Sequence, residues 1–337
     1  MDWHAQVLLL IRLALVGCGR NASALADGIG ASDDCELTLA VDVHAQSARE
    51  IAVTSDAEPY VGDLDFLLET RSNDIDAIVI NTPNDRHTRD AEAAISAGKH
   101  LLVEKPLALT SKAARSLHER ANSADALLMV AHTFRFMPSI KQVRRALDGG
   151  ELGRPGMLRI HRWLPMSTGS SSEWEEDTKR TGGLAIHESI HEIDQALWLF
   201  GEYPSQVRAV AAPSQLQVHL GFESGAMAIF DVMAGLPLGE SYYSLTLIGS
   251  QGAAYVDDHH NMQLVYRGGR AEAFATNQHS LAVHAQIEEF VAAITEHRQP
   301  SPCASDATAA IQIAEAADKS LDSGETVRIP ARDHARS

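Results

Sequence analysis

Short apolar runs alternate with amphipathic stretches along the first third of the chain. A typical amphipathic stretch, "DRHTRDAEAAISAGKH", has helical periodicity that ends at Gly98, and a second helix is predicted near 111–123. Strands that alternate with helices at this spacing predict βαβ units and a parallel sheet. The predicted strands are "RLALVG" (12–17), "ELTLAVD" (36–42), "DAIVINTP" (76–83), "LLVEKP" (101–106) and "ALLMVAH" (126–132).

The pattern changes after "DGGELGRPG". The runs "GMLRIHRWL", "LQVHLGFESGAMAIFDVMA", "YSLTLIGSQGAAYVDD" and "MQLVYRGG" alternate in polarity, and Glu223-Ser224-Gly225 is typical of a hairpin turn. Helices are predicted at 183–200, 281–297 and 304–322. We therefore predict two domains, an α/β domain over 1–130 and an α+β domain with a mostly antiparallel sheet over 131–337.

Composition supports two domains and excludes some partners. The 337 residues are 45% hydrophobic, and single cores rarely grow beyond about 250–300 residues. Lys and Arg total 28 against 45 Asp and Glu, a formal charge of -17 without a basic cluster. This charge repels a phosphate backbone or an anionic membrane, so we expect neither nucleic acid nor membrane as a partner.

Cysteine usage and the start of the chain indicate a cytoplasmic protein. Cys18, Cys35 and Cys303 are unclustered, which is typical of reduced thiols. The start, "MDWHAQVLLLIRLALVG", lacks a basic region and is interrupted by Arg12, so we interpret it as an extension before a buried strand rather than a signal peptide. No segment approaches ~20 apolar residues.

A glycine motif between the first strand and the next helix predicts a dinucleotide site. It fits G-x-G-x-x-G/A, in which the first glycine allows a tight turn, the second admits a pyrophosphate, and Ala22 permits close packing. Asp42 ends the next strand, where a carboxylate accepts bonds from a ribose diol and repels a 2′-phosphate. This favours NAD, although His44 and Arg49 nearby leave NADP open. The predicted loop residues are Gly17, Cys18, Gly19, Arg20 and Asn21.

Several motifs in order resemble the Gfo/Idh/MocA family of sugar and polyol oxidoreductases. They are "VGCGR", "TPNDRH", "AGKHLLVEKP", "GELGRPG", "GGLAIHESIHEIDQALWLFG" and "ADKSLDSGETVRI". The resemblance implies a Rossmann domain followed by a domain with an open, largely antiparallel sheet. It also implies that Glu104 and Lys105 lie near the nicotinamide ribose, with Lys105 reaching the substrate. The implied loop passing the dinucleotide contains Thr82, Pro83, Asn84 and His87.

The stretch "HESIH" also matches H-E-x-x-H, the zinc-peptidase signature, through His187, Glu188 and His191. The extended form of that motif needs glycine at 194 and histidine at 197, where this chain has Asp194 and Leu197. We therefore predict no metal site. A zinc hydrolase is retained only as the less favoured alternative.

Aligned on its last histidine, the same segment resembles the helix of the family that carries the catalytic histidine. His191 matches that histidine, Asp194 matches an acidic residue one turn on, and His187 stands where the family usually has aspartate. These three positions are i, i+4 and i+7, so the side chains share one helix face. Trp174 matches a tryptophan that flanks the nicotinamide in some members, but Glu175 follows it instead of arginine.

A dehydrogenase mechanism follows from these assignments. His191 is the predicted general base, because an imidazole titrates near working pH, and Lys105 stabilises the developing alkoxide. The reverse assignment, with Lys105 as base, stays open. His187 either bonds a substrate hydroxyl or fills space beside Glu188, and Asp194 either holds the imidazole tautomer or serves the helix. Further substrate contacts are suggested at Arg135, Trp163, Lys179, Tyr242 and Tyr243.

The predicted function is NAD(P)-dependent hydride transfer to or from a hydroxyl-bearing carbon of a sugar, a cyclic polyol such as an inositol, or a sugar derivative. A dinucleotide-binding regulator without catalysis is the other alternative, since the aspartate position is altered. An open sheet face left uncovered by helices would be an apolar patch, so we also predict a homodimer or homotetramer formed through the second domain.

Overall fold

The computed structural model describes residues 10–165, 177–237, 241–259, 262–266, 271–275 and 278–330. These residues divide into two compact units. The first contains the described residues up to Leu107 together with Lys112–Ala131 and Ser280–Ser305. The second contains Ala108–Ser111 and the described residues of His132–His279 and of the chain from Asp306 to Pro330.

The first unit is built on a six-stranded parallel sheet, as predicted. Its strands are ordered β3-β2-β1-β4-β5-β6, and every neighbouring pair is parallel. Strands β4 and β6 are buried at every position, which explains their continuous apolar sequence. The strands are β1 (Ile11–Val16), β2 (Cys35–Asp42), β3 (Glu58–Val61), β4 (Ala77–Ile80), β5 (His100–Glu104) and β6 (Leu128–Ala131). The helices are α1 (Ala22–Gly30), α2 (Ala45–Ser55), α3 (Leu64–Arg71), α4 (His87–Ser96) and α5 (Ser111–Ser123).

A segment late in the chain returns to this first unit. Most of helix α9 (Gln278–Thr295), from Ser280 onward, belongs to the first unit. A Cβ on Gly28 of α1 would lie 2.9 Å from Val283 Cγ1 of α9, so the missing side chain lets the helices approach closely. The Val130 N–H also donates to the Pro302 carbonyl at 3.3 Å. Packing therefore joins a helix from late in the chain to the first unit, which otherwise consists of described residues before His132.

The second unit carries a nine-stranded mixed sheet in the order β14-β13-β12-β11-β7-β10-β9-β8-β15. Strands β7 and β10 pair in parallel, whereas the other neighbouring strands of this sheet pair antiparallel. This agrees with the predicted mostly antiparallel sheet. The strands are β7 (Pro155–Pro165), β8 (Gln206–Ala212), β9 (Gln215–Gly221), β10 (Met227–Leu236), β11 (Tyr242–Gly249), β12 (Ala253–His259), β13 (Met262–Tyr266), β14 (Ala271–Ala275) and β15 (Val327–Arg328). The remaining helices are α6 (Pro138–Asp148), α7 (Thr178–Thr181), α8 (Leu184–Phe200) and α10 (Ala304–Ser323).

Burial alternates along the central strands of this sheet. In β9, Leu216, Val218 and Leu220 are buried, whereas the residues between them are exposed. Helix α8 lies against β7, β9 and β10 on the buried face. Over the described residues, no helix is both long enough and apolar enough to cross a bilayer.

Candidate functional site

The glycine turn between β1 and α1 has the shape that a dinucleotide needs. Gly17 has φ +96°, and a Cβ there would lie 2.5 Å from the Asn81 carbonyl oxygen, so no other residue fits. A Cβ on Gly19 would meet nothing within 4 Å. The space above the turn is therefore open at Gly19, the position at which dinucleotide-binding turns generally let a pyrophosphate approach the backbone. Asn21 makes no side-chain capping bond to the first turn of α1.

Asp42 lies beside this turn at the end of β2. Its Oδ2 accepts a hydrogen bond from the Cys18 N–H at 2.8 Å, and its Oδ1 accepts one from the His44 N–H at 2.8 Å. The carboxylate thus ties the glycine turn to the second strand, a role that the sequence did not predict. Burial, with a smaller contribution from Asp42, raises the pKa of the Cys18 thiol to about 12.

The loop after β4 is held by a buried histidine. The His87 ring is 1% exposed, and its Nδ1 and Nε2 lie 2.7 Å from the Pro106 and Thr82 carbonyl oxygens. Burial lowers the pKa of His87, against the opposing effect of the two carbonyls. His87 therefore joins two loops that carry other predicted cofactor residues. We expect it to support these loops rather than to contact the dinucleotide.

The other predicted residues of this unit follow β4 and β5. The Thr82 hydroxyl donates to Asp90 at 2.8 Å, and Pro83 leads into a 3₁₀ turn that begins at the buried Asn84. Glu104 ends β5, and its Oε2 accepts from the Lys105 N–H at 3.2 Å. Burial raises the pKa of the Glu104 carboxyl, while the Lys105 charge opposes this shift.

Helix α8 of the second unit begins after two glycines with positive φ, Gly182 and Gly183. A Cβ on Gly183 would lie 2.3 Å from Asp318 Oδ2, and Asp318 Oδ1 accepts from the Ala185 N–H at 2.9 Å. The α10 carboxylate therefore caps the helix. Burial raises the pKa of Asp318 to about 6, although the helix N–H groups oppose this shift.

His187 and His191 are half-buried residues of α8, whereas Asp194 is 1% exposed. Asp194 accepts two hydrogen bonds from Arg135, from Nε at 2.7 Å and from Nη2 at 2.6 Å. It therefore serves a buried ion pair, and the prediction that it could hold the His191 tautomer is not supported by its bonding. Arg135, suggested as a substrate contact, is 5% exposed and is the partner of this carboxylate.

The ring of His191 instead stacks on Phe134, a residue that the sequence did not single out. The ring centroids are 4.3 Å apart and the planes are inclined by 10°. Phe134 belongs to a 3₁₀ turn after β6, Thr133–Phe136, which also carries Arg135. Tyr243, suggested as a substrate contact, is buried and donates to Gln195 of α8 at 3.0 Å.

The H-E-x-x-H pattern gains no third ligand within the described part of the chain. There, no group of three His, Cys, Asp or Glu residues could hold a metal ion. His187 Nε2 lies 3.7 Å from Glu188 Oε1, which is a contact between neighbours on one helix. Trp174, the predicted nicotinamide neighbour, lies outside the described residues.

Two family models match this chain in succession. Residues 11–132 match an oxidoreductase family described as having an NAD-binding Rossmann fold, and residues 144–329 match its C-terminal alpha/beta domain. An inositol 2-dehydrogenase of Rhizobium meliloti (strain 1021) is 29% identical over 331 residues, 93% of this chain and 97% of that protein. A scyllo-inositol 2-dehydrogenase (NAD(+)) of Bacillus subtilis (strain 168) is 24% identical, with 96% and 97% covered.

Solved structures agree on the fold. A levoglucosan dehydrogenase in complex with NADH and levoglucosan superposes with a TM-score of 0.85, covering 96% of this chain and 100% of that one. The two sequences are 21% identical, so this likeness shows the fold alone.

Proposed function

Since the chain belongs to the Gfo/Idh/MocA oxidoreductase family over both of its domain models, we propose that it is a dehydrogenase acting on a sugar or cyclic polyol. The transferred hydride moves between the nicotinamide and a hydroxyl-bearing carbon. The observation that carries the choice of substrate is the 29% identity to an inositol 2-dehydrogenase across 93% of this chain.

The glycine turn and Asp42 support NAD as the cofactor. Gly17 allows the tight turn against Asn81, Gly19 leaves open space above the backbone for a pyrophosphate, and the Asp42 carboxylate beside them would accept bonds from ribose hydroxyls. A 2′-phosphate would be repelled by the same carboxylate, so we propose NAD over NADP. Bound NAD supplies the hydride acceptor. We assign the loop residues Cys18, Arg20, Asn21, Thr82, Pro83, Asn84 and Glu104 to its binding as well.

The proton chemistry is assigned to two side chains. We propose that His191 takes the hydroxyl proton at an imidazole nitrogen and that Lys105 donates a hydrogen bond to the developing alkoxide. His187 lies one turn before His191 on the same helix, and we propose that it bonds a neighbouring hydroxyl of the substrate. The partial exposure of both histidines supports these assignments, since a substrate must reach them.

The exposed face of the second sheet supports self-association. Its strands present four large apolar side chains with exposed fractions between 43% and 54%: Val210, Met227, Ile248 and Tyr255. A second copy of the chain packed on this face would cover these side chains, so we propose a homodimer or homotetramer of a cytoplasmic enzyme. Light scattering that gives a monomer at micromolar concentration would contradict this assembly.

A cofactor titration followed by a polyol and sugar screen, monitored by nicotinamide absorbance, tests the proposal. Lys105→Ala and His191→Ala should each lower turnover by roughly two to four orders of magnitude while NADH still binds. Glu188→Gln is the matched control on the same helix, because only a zinc peptidase needs that carboxylate to activate water. Loss of all activity in Glu188→Gln, with zinc and fold retained, would overturn the dehydrogenase assignment.

A further inference from the structure

The contacts of the His191 ring point to a residue that orients it. Phe134 lies parallel to the imidazole at a centroid distance of 4.3 Å. A stacked neighbour contacts the face of an aromatic ring and thereby restricts the orientation of its plane. A carboxylate partner would instead use one nitrogen. The carboxylate one turn away, that of Asp194, accepts hydrogen bonds from Arg135 Nη2 at 2.6 Å and from Arg135 Nε at 2.7 Å.

Phe134 is itself held on a second side. Its ring meets the ring of Tyr243 edge-on, with centroids 5.6 Å apart and planes inclined by 84°. The Tyr243 hydroxyl donates to Gln195, which lies one turn after His191 on α8. The side chains of His191, Phe134, Tyr243 and Gln195 therefore form a closed series of contacts that begins and ends on one helix.

Arg135, the residue after Phe134, holds the backbone of the 3₁₀ turn in place. Arg135 joins the 3₁₀ turn to α8 through Asp194 and to α10 through Asp306, at 3.1 Å. Both partners of the Arg135–Asp194 pair are nearly inaccessible, with side-chain exposures of 6% and 1%. Moving this turn away from α8 would break a buried ion pair, so the backbone position of Phe134 is fixed.

We propose that Phe134 is the positioning residue for His191, holding the imidazole plane in the orientation needed for proton transfer. This inference rests on the proposed function of His191 as the group that handles the substrate proton. Phe134 acts through the histidine and does not itself bind or transfer a proton. Misplacement of a reacting group by about 1 Å can cost on the order of 100-fold in rate.

Nuclear magnetic resonance of the full-length protein without substrate tests the geometry. The His191 Cε1–H resonance should be shifted upfield by the Phe134 ring current, and His191→Ala assigns it. Phe134→Leu should remove the upfield shift, whereas Phe134→Tyr should retain it. Phe222→Leu is the matched control, because Phe222 is buried in the same unit against Phe200, with centroids 4.7 Å apart, and should leave the resonance in place.

Steady-state kinetics test the consequence. Phe134→Leu should lower kcat by about 10- to 100-fold, with KM and NADH affinity changed less than threefold, and Phe134→Tyr should restore kcat to near the wild-type value. In a His191→Ala background, Phe134→Leu should have no further effect, because the two residues act as one unit. Phe134→Met replaces Phe134→Leu if the latter does not fold.

Two results would overturn the inference. One is a His191 resonance that does not respond to Phe134→Leu, and the other is a lost ring-current shift with unchanged kcat. Failure of the proposed function is a different outcome: His191→Ala would then retain full turnover, while the resonance would still report the stacking.

Discussion

The Arg135–Asp194 ion pair provides a quantitative test of how helix α8 is held. Asp194→Asn keeps the shape of the side chain but removes the charge that faces a guanidinium with 6% exposure. Burial alone would lower the pKa of Arg135, but Asp194 and Asp306 raise it above its ordinary value. A guanidinium is protonated throughout the neutral range, so Arg135 stays charged in the variant. Removing one partner of a buried pair costs about 3–5 kcal/mol.

The lower end of that range applies here, because Asp306 still bonds Arg135 at 3.1 Å. A loss of about 3 kcal/mol corresponds to a fall of roughly 6–12 °C in the unfolding midpoint of a unit of this size. Calorimetry and urea denaturation measure the change. Asp306→Asn is the control, and with 34% of the Asp306 side chain exposed it should cost about 1 kcal/mol or less.

The same variant separates a structural from a catalytic role for Asp194. If the carboxylate oriented His191, Asp194→Asn would lower kcat by about four orders of magnitude, the effect known for a lost imidazole-orienting aspartate. We expect less than a tenfold loss in the folded protein, because Asp194 bonds Arg135. An unfolding midpoint within 1 °C of wild type, or a loss of kcat near the larger figure, would refute this reasoning.

Three further predictions concern charge. Asp42→Ser should reduce the ratio of the NADPH and NADH dissociation constants by roughly tenfold, ~1.4 kcal/mol, as measured by fluorescence titration. Tighter binding of NADPH than of NADH by the wild type would contradict the assignment of Asp42 to the ribose. With its pKa raised to about 12, Cys18 should react with iodoacetamide at pH 8 far more slowly in the folded than in the unfolded protein. Asp318, whose pKa rises from 3.8 to about 6, binds protons more tightly when folded, so wild-type stability should fall as pH rises from about 4 to 6. At pH 8 the free energy of unfolding of Asp318→Asn should therefore exceed that of the wild type by about 1–2 kcal/mol, a figure reduced to allow for the partial exposure of the side chain. Thermal unfolding at pH 4 and pH 8 measures the difference, and a variant less stable than the wild type at pH 8 would contradict the prediction.

The parallel sheet could be predicted because its central strands are apolar and largely buried. Strand β3 (Glu58–Val61) was missed, since three of its four residues are exposed and it forms by pairing with β2 at the edge. Strand β15 was missed for a similar reason, as it consists of two residues paired with β8. Such strands depend on their neighbours for hydrogen bonds, so their own sequences carry little signal.

Helix α6 (Pro138–Asp148) was also not predicted, although its sequence has the features of a helix. Pro138 stands at the start of the helix, and the buried residues Ile140, Val143 and Ala146 recur every three positions. The place of α9 in the first unit is not encoded locally in the same way. It depends on Gly28, more than 250 residues earlier in the chain than Val283, and helical periodicity cannot identify such a partner.

Within the candidate site, the sequence predicted which residues share a helix face but not what faces them. The i, i+4 spacing placed His187 and His191 together on α8. Phe134 lies in another element after β6, and no short pattern connects it with His191. The sequence therefore identifies candidate catalytic groups more readily than the residues that orient them.

The buried polar residues of α8 explain why this helix presents its histidines as it does. Glu192, Asp194 and Gln195 are 0–1% exposed, and each is bonded by a side chain from a different element, namely Arg162 of β7, Arg135 of the 3₁₀ turn and Tyr243 of β11. Burying a polar group without its partner is costly, so a rotation of α8 about its axis would break all three bonds at once. The helix is thereby fixed in one rotation, in which His187 and His191 remain partly exposed. A match to H-E-x-x-H records only the spacing of the two histidines, whereas their chemistry depends on the groups that this rotation places around them.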